Sequence, residues 1–317
     1  MRFLVAGAGS WGTAFAHLLV QRGHDVVLGC RTAEQAESIA TSGRNARYLP
    51  KVDLRAVGAV ALDDAPGDVD VAVVAVPSKW FADVVARLPG GAPVLSLTKG
   101  LDPATGERLS SRVEGRPVAV LSGPNIAEEI AVGLPTAAVI ASDDGFLAGR
   151  LQHAINSSVF RTYVNPDIVG VELCAAAKNV IALAAGGVDG LDLGDNAKAS
   201  LITRGLAEMA RLGEAAGARS ETFAGLAGMG DLIVTCWSAQ GRNRRAGELI
   251  AQGRTPDEAA AEIGQTVEGL TTAPVLHELS GRLRTELPIT EGVCAVLSGQ
   301  SLSGLVERLM GRQPTEE

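Results

Sequence analysis

Histidine and cysteine are scarce in this chain of 317 residues, with four of each. The histidines, His17, His24, His153 and His277, stand apart from one another and from any motif partner, so each reads as structural or exposed rather than catalytic. The cysteines, Cys30, Cys174, Cys236 and Cys294, make no CxxC pair and no metal-ligand spacing. That excludes a disulfide framework and a zinc-type site, and it fits free thiols in a reducing compartment; no metal is expected. Positive charge is outweighed, leaving a net charge of −8. Such a balance argues against general binding of nucleic acid or an anionic membrane and leaves room for a local basic site for a small anion. Long apolar runs are missing: none reaches membrane-spanning length, and the start "MRFLVAGAG" has no basic leader with a cleavage site. The expectation is a cytoplasmic protein without an integral membrane segment. Aromatics are only 3%, but hydrophobic residues reach 46% and charged residues 20%, which fits a globular chain rather than a disordered one.

Glycine is abundant, at 38 residues, as suits a close-packed α/β protein with many tight turns. The first half alternates strand and helix signals. Strands are predicted at Arg2–Ala6, Asp25–Cys30, Val69–Val76, Pro93–Thr98, Pro117–Leu121 and Thr136–Ala141, with helices such as Gly12–Arg22 and Thr32–Thr41 between them. The runs from Val69 and Pro93 are nearly continuously apolar, as a parallel sheet covered on both faces requires. This order implies an open, doubly wound, mostly parallel Rossmann-like sheet. After "VNPD" (164–167) strand signals stop and alanine-rich helical segments follow: Val169–Ala185, Ala197–Ala216, Arg244–Gln252, Pro256–Ile263, Ala273–Ser280 and Gly292–Leu297. We expect a dinucleotide-binding domain over 1–165 and an all-helical substrate and catalytic domain over 166–317, with the tail "GRQPTEE" frayed.

"VAGAGSWG" spaces Gly7, Gly9 and Gly12 as G-x-G-x-x-G between a strand and a helix, the context in which this motif binds a dinucleotide. Gly7 permits the tight turn, Gly9 lets backbone approach a pyrophosphate, and Gly12 allows close helix–strand packing. The second strand, "DVVLGCR", lacks the terminal acid that binds the ribose 2′-hydroxyl of NAD and finishes in Arg31, which suits the 2′-phosphate of NADP. NADP(H) is therefore favoured, with NAD(H) compatible. Ligands of open α/β sheets bind beyond the strands' carboxyl ends, where this chain places "VPSKW", "TKG" and "SGPN", hence Lys99 and Asn125. In the helical half, Gly225, Gly228 and Gly230 lead into Asp231, and "GRNRRAG" gathers Arg242, Arg244 and Arg245 into a basic patch suited to a phosphate. The helical stretch "ELCAAAKNVIALAAGG" puts Lys178 on the same row as Val171, Cys174, Ala175, Ile181, Ala182 and Ala185. An ammonium on an apolar face either snorkels outward or faces a cleft.

Taken together, "GAGSWG", "NARYLP", "VPS", "TKG", "SGPNIAEE", "AAAKNVIALAAG", "GLAGMGDLIVTC", "GRNRRAG" and "VEGLTTA" resemble the bacterial type of the NAD(P)-dependent glycerol-3-phosphate dehydrogenase family, in family order from residue 7 to about residue 273. The resemblance implies reversible reduction of dihydroxyacetone phosphate to sn-glycerol 3-phosphate, supplying phospholipid synthesis. It implies cofactor contacts at Ser10, Trp11, Arg31, Tyr48, Lys99, Ala127, Arg242, Thr266 and Glu268, alongside Gly7, Gly9 and Gly12. It implies substrate contacts at Lys99, Gly123, Asn125, Lys178, Asp231, Gly241, Arg242 and Asn243, with Lys178 as general acid/base assisted by Lys99 and Asp231. Gly241 stands where the bacterial pattern has serine, Asn125 matches the eukaryotic form, and Thr266 replaces an aliphatic residue. Burial and Lys99 are expected to lower the Lys178 pKa and Asp231 to oppose that. A homodimer is compatible with a helical second half. Two other readings stay open at this point: a β-hydroxyacid dehydrogenase or ketopantoate reductase, and a non-catalytic NADP(H)-sensing protein.

Overall fold

The computed structural model describes residues 1–302; the expected fraying of "GRQPTEE" falls outside them. Eight strands form one sheet: β1 (Arg2–Ala6), β2 (Asp25–Cys30), β3 (Gly58–Ala61), β4 (Val71–Val74), β5 (Val94–Ser96), β6 (Val118–Ser122), β7 (Thr136–Ala141) and β8 (Phe160–Asn165). Their order is β3-β2-β1-β4-β5-β6-β7-β8, parallel throughout except at the β6–β7 pair. The first six strands therefore end on one edge, with the order reversing at β1 and β4. Helices α1 (Ser10–Gln21), α2 (Ala33–Ser42), α3 (Phe81–Ala86), α4 (Ala127–Ala131) and α5 (Gly145–Ile155) accompany the sheet. Separate apolar clusters fill its faces, one around Phe3, Phe15 and Leu95 and one around Leu4, Val74 and Phe81. Burial on both sides explains why β4 and β5 read as nearly continuous apolar runs.

Two strands escaped the sequence reading. β3 is a short, partly exposed piece, "GAVA", beside β2 at one edge of the sheet. β8, "FRTYVN", lies at the other edge and alternates buried Phe160 and Thr162 with exposed Arg161 and Tyr163.

The remaining helices are α6 (Ile168–Gly190), α7 (Gly194–Ala215), α8 (Ser220–Ala224), α9 (Asp231–Trp237), α10 (Arg242–Ala251), α11 (Pro256–Ile263), α12 (Glu268–Leu283) and α13 (Pro288–Leu297). A single π turn, Leu226–Gly230, precedes α9. α6 is the axis of this half. Asp167 caps it, accepting from Gly170 N–H at 2.9 Å, and its other oxygen accepts from Thr222 Oγ1 at 2.6 Å. Ile168 and Val171 then pack with Val120, Val139 and Ala141 of the sheet. Glu172 accepts from Ser110 N–H at 2.8 Å and from Arg108 at 3.0 Å, which fixes the helix in azimuth. Farther along, small residues let backbones meet: a β-carbon on Gly186 would fall 1.8 Å from Arg244 O, and one on Gly247 would fall 1.9 Å from Leu183 O. α10 is thereby pressed onto α6.

By length and composition α6 could cross a membrane, contrary to the expectation that no segment would reach that length; 89% of its apolar window is buried inside the protein. The sequence hid this because Glu172, Lys178, Asn179 and Asp189 interrupt the apolar run. It is the central core helix, and Lys178 sits ten residues from its start, about 15 Å along the axis.

Candidate active site

The glycine turn follows β1. Gly7 has φ +118°, and a β-carbon there would lie 2.4 Å from Ala75 O; one on Gly12 would lie 1.9 Å from Gly7 O. Both glycines are needed for the turn to close on the sheet. Gly9 differs: a β-carbon on it would meet nothing within 4 Å, and its φ of −84° suits any residue. Gly9 caps α1 with no side-chain hydrogen bond, so the helix's first N–H groups face open space. Beside it, Ser10 Oγ and Trp11 Nε1 are buried without hydrogen-bond partners. A cradle left empty by protein and lined by unspent donors fits the pyrophosphate of a dinucleotide. Gly9→Val is accordingly expected to keep stability within about 0.5 kcal/mol while NADPH binding is lost. Thermal melts and fluorescence titration check this, and an unchanged Kd would show that the cradle holds nothing.

At the same sheet edge lies a buried charge cluster. Lys99, in the loop after β5, donates to Asp231 Oδ2 at 2.7 Å and to Gly123 O at 3.0 Å. Lys178, in the middle of α6, donates to Asp231 Oδ1 at 2.8 Å and to Thr235 Oγ1 at 2.7 Å. Thr235 passes its own hydrogen to Asp231 O at 2.6 Å, so its oxygen is held as an acceptor for the amine. Ser122 Oγ, ending β6, lies 3.4 Å from Asp231 Oδ2. One carboxylate, 1% exposed, thus joins an ammonium from each half of the chain. Burial pushes the Lys178 amine down to about 8, the Asp231 charge resists, and the Lys99 charge adds to the lowering. Burial alone would raise the Asp231 carboxyl, but the two ammoniums outweigh it and hold it below its ordinary value. The lysine on the apolar row thus ends on Asp231 and Thr235, sharing that carboxylate with the Lys99 that follows β5.

The other expected residues are distributed around this centre. Gly123 (φ +142°) turns its carbonyl to Lys99. Asn125 is half-buried, with Nδ2 3.5 Å from Ala137 O and Oδ1 buried without a partner. Ala127 is buried at the start of α4. Arg242 opens α10 and donates to Thr266 O at 3.0 Å. A β-carbon on Gly241 would lie 2.8 Å from Thr235 O, so the glycine lets the end of α9 meet the start of α10. Asn243 is drawn inward: its Nδ2 donates to Asn179 Oδ1 at 2.9 Å and its Oδ1 accepts from Gly269 N–H at 2.8 Å. Its side chain therefore ties α10 to α6 and α12. Glu268 accepts from Ser78 N–H at 3.0 Å and Ser78 Oγ at 2.6 Å, and burial raises its carboxyl. Gly100 (φ +146°) makes room for that contact, since a β-carbon there would lie 3.2 Å from Glu268 Oε2. Tyr48 is half-buried and Arg31 exposed, both on segments flanking the glycine turn. Among the described residues no group of three His, Cys, Asp or Glu side chains is placed to hold a metal ion.

Sequence reasoning missed Thr235, Ser78 and Ser122. Thr235 was discoverable, because it follows Asp231 by one helical turn on α9. The cluster offers a proton donor titrating near neutrality, a fixed carboxylate and a second ammonium, adjoining a dinucleotide cradle. That is equipment for hydride transfer coupled to protonation of an oxygen.

Comparison with known proteins agrees. The family model described as NAD-dependent glycerol-3-phosphate dehydrogenase N-terminus matches residues 3–148, and the corresponding C-terminus model matches residues 167–304. A curated protein of Bacillus cereus (strain AH187), named glycerol-3-phosphate dehydrogenase (NAD(P)+), is 43% identical over 98% of this chain and 96% of its own length. The crystal structure of glycerol-3-phosphate dehydrogenase from Coxiella burnetii superposes with a TM-score of 0.94 at 38% identity, covering 98% of this chain and 99% of that one. The enzyme of the same name from Saccharomyces cerevisiae gives 0.82 at 28% identity, covering 97% and 98%. Matched along both halves and in overall structure, the chain belongs to the NAD-dependent glycerol-3-phosphate dehydrogenase family.

Proposed function

We propose that the chain reversibly reduces dihydroxyacetone phosphate to sn-glycerol 3-phosphate, with NADP(H) favoured and NAD(H) accepted. The observation that carries this is the Lys178–Asp231–Lys99 cluster at the sheet edge, in a chain 43% identical to an enzyme of that name. That match, and the exposed guanidinium of Arg242, favour a phosphorylated substrate over the carboxylate of a hydroxyacid; Arg244 and Arg245, expected to join it in a basic patch, are instead ion-paired with Asp189, Glu248 and Glu262.

The cradle at Gly9, with Ser10 and Trp11, would hold the dinucleotide, and Arg31, Tyr48 and Glu268 flank it. When bound, the nicotinamide supplies the hydride in one direction and takes it in the other. As C2 becomes tetrahedral its oxygen gains negative charge. Lys178 gives that oxygen a proton and becomes a neutral amine; in the oxidative direction the amine takes the proton back. Asp231 and Thr235 fix where the amine points. Lys99 stabilises the developing oxyanion, and its bond to Asp231 keeps it in place. Arg242, at the start of α10, binds the phosphate and so sets C2 in line. Asn243 stiffens that helix start.

In this reading residues 1–165 form the dinucleotide domain and 166–317 the substrate domain. The free cysteines support a cytoplasmic setting. The exposed apolar side chains Met229, Ile233 and Trp237 of the helical half support a homodimer, which a one-chain mass by light scattering would remove. The product would serve as the backbone of phospholipids.

Arg242→Ala tests the substrate assignment. The KM for dihydroxyacetone phosphate is expected to rise on the order of a hundredfold, the worth of a bidentate charged contact. NADPH binding should change far less. A loss confined to NADPH binding would show that Arg242 serves the cofactor and leave the phosphate without its proposed partner.

A further inference from the structure

Between α2 and β3 the chain makes a tight turn, closed by a bridge between Asn45 and Leu49. Tyr48 and Leu49 N–H groups both donate to Asn45 O, at 3.2 and 3.1 Å. Asn45 is 3% exposed, and its Nδ2 donates to Ala8 O at 3.0 Å and to Thr13 Oγ1 at 2.8 Å. Ala8 lies between Gly7 and Gly9. The same carbonyl accepts from Gln35 Nε2 at 3.2 Å, and Gln35 Oε1 accepts from Arg31 N–H at 3.4 Å. The end of β2, the first turn of α2 and the 45–49 turn therefore converge on one carbonyl of the dinucleotide cradle. Two exposed arginines lie on these segments, Arg31 at the end of β2 and Arg47 in the 45–49 turn.

Arg47 is held but not spent. Its guanidinium carbon lies 5.5 Å from the centre of the Tyr48 ring, and it makes no hydrogen bond or ion pair among the described residues. Its basic neighbours are committed: Arg44 donates to Pro50 O at 3.0 Å, and Arg55 is bound to Asp53. A guanidinium fork over a ring, with a second exposed arginine on the segment that meets the same carbonyl, matches a phosphate dianion, which one exposed arginine holds only weakly in water. No carboxylate ends β2 to compete for the ribose.

We propose that Arg47 is a specificity-determining residue that grips the 2′-phosphate of the bound dinucleotide together with Arg31. This rests on the NADP(H) preference proposed above. Isothermal titration of Arg47→Ala against NADPH, NADH, adenosine 2′,5′-bisphosphate and adenosine 5′-monophosphate tests it. Affinity for the two 2′-phosphorylated ligands should fall roughly tenfold, as for loss of one charge-assisted hydrogen bond, with the other two within about twofold. Arg47→Lys should recover part of the loss, since it keeps the charge without the fork. Unchanged NADPH affinity would overturn the proposal, as would equal weakening of NADPH and NADH, which would assign Arg47 to the adenine wall. If the unaltered protein binds the bisphosphate no better than the monophosphate, the NADP(H) preference and the Arg47 role fall together. Reduction of dihydroxyacetone phosphate with NADH would then still stand as a separate result.

Discussion

Replacing Asp231 by Asn is expected to lower stability by about 3 kcal/mol at neutral pH, because it strands two ammoniums that share one buried carboxylate. In a chain of this size that corresponds to a Tm decrease of roughly 5 °C. The same change should move the chemistry. Asp231 is the charge that resists the burial-driven lowering of Lys178, so without it the amine titrates below its present value of about 8. Reductive turnover would then fall on the order of a hundredfold at neutral pH, through lost ammonium and lost aim. Its decline with rising pH would begin earlier. Melting curves and pH–rate profiles measure the two effects. A variant with unaltered Tm and an unaltered profile would mean that Asp231 does not hold the two lysines.

Lys178→Ala is expected to lower kcat by about 10²- to 10⁴-fold, the range set by loss of a positioned general acid. Folding should survive, because Asp231 keeps Lys99 as its partner at 2.7 Å. NADPH affinity should stay within about twofold, since the glycine cradle and its unpartnered donors are untouched. The split between kcat and cofactor binding separates a proton donor from a residue that merely supports the cleft. Near-normal turnover would sink the assignment and leave Lys99 as the remaining ammonium on that carboxylate.

Much of this site could be read from residue order because its chemistry violates local rules. Lys178 stood out as a charge on a buried row, and Gly7, Gly9 and Gly12 as glycines between a strand and a helix. Both signals are local, and the cost of burying a charge makes the first one hard to mimic by chance. Two of the hydroxyls were not legible: Ser78 and Ser122 are ordinary residues until the fold brings Glu268 and Asp231 to them, whereas Thr235 lies one helical turn after Asp231. The substrate role of Asn243 comes from the family resemblance, and no local pattern foretold that its side chain would also tie Asn179 and Gly269 together. In the fold, the parallel strands and the long helix followed from apolar runs. β3 and β8 were missed because edge strands are short or half-solvated. α12 was predicted from Ala273 but begins at Glu268 and runs through Pro274, whose missing N–H falls within its second turn.

The central claim is that the Lys178 amine exchanges the proton that accompanies hydride transfer. Its most direct test is the pH dependence of kcat in both directions, followed through the reduced-nicotinamide absorbance band with dihydroxyacetone phosphate and with sn-glycerol 3-phosphate. With the amine at about 8, reduction should fall as pH rises through that value, because the ammonium donor is lost, and oxidation should rise, because the amine acceptor appears. Mirrored profiles that vanish in Lys178→Ala are the predicted result. Profiles that move in the same sense in both directions, or that persist unchanged in the variant, would contradict it.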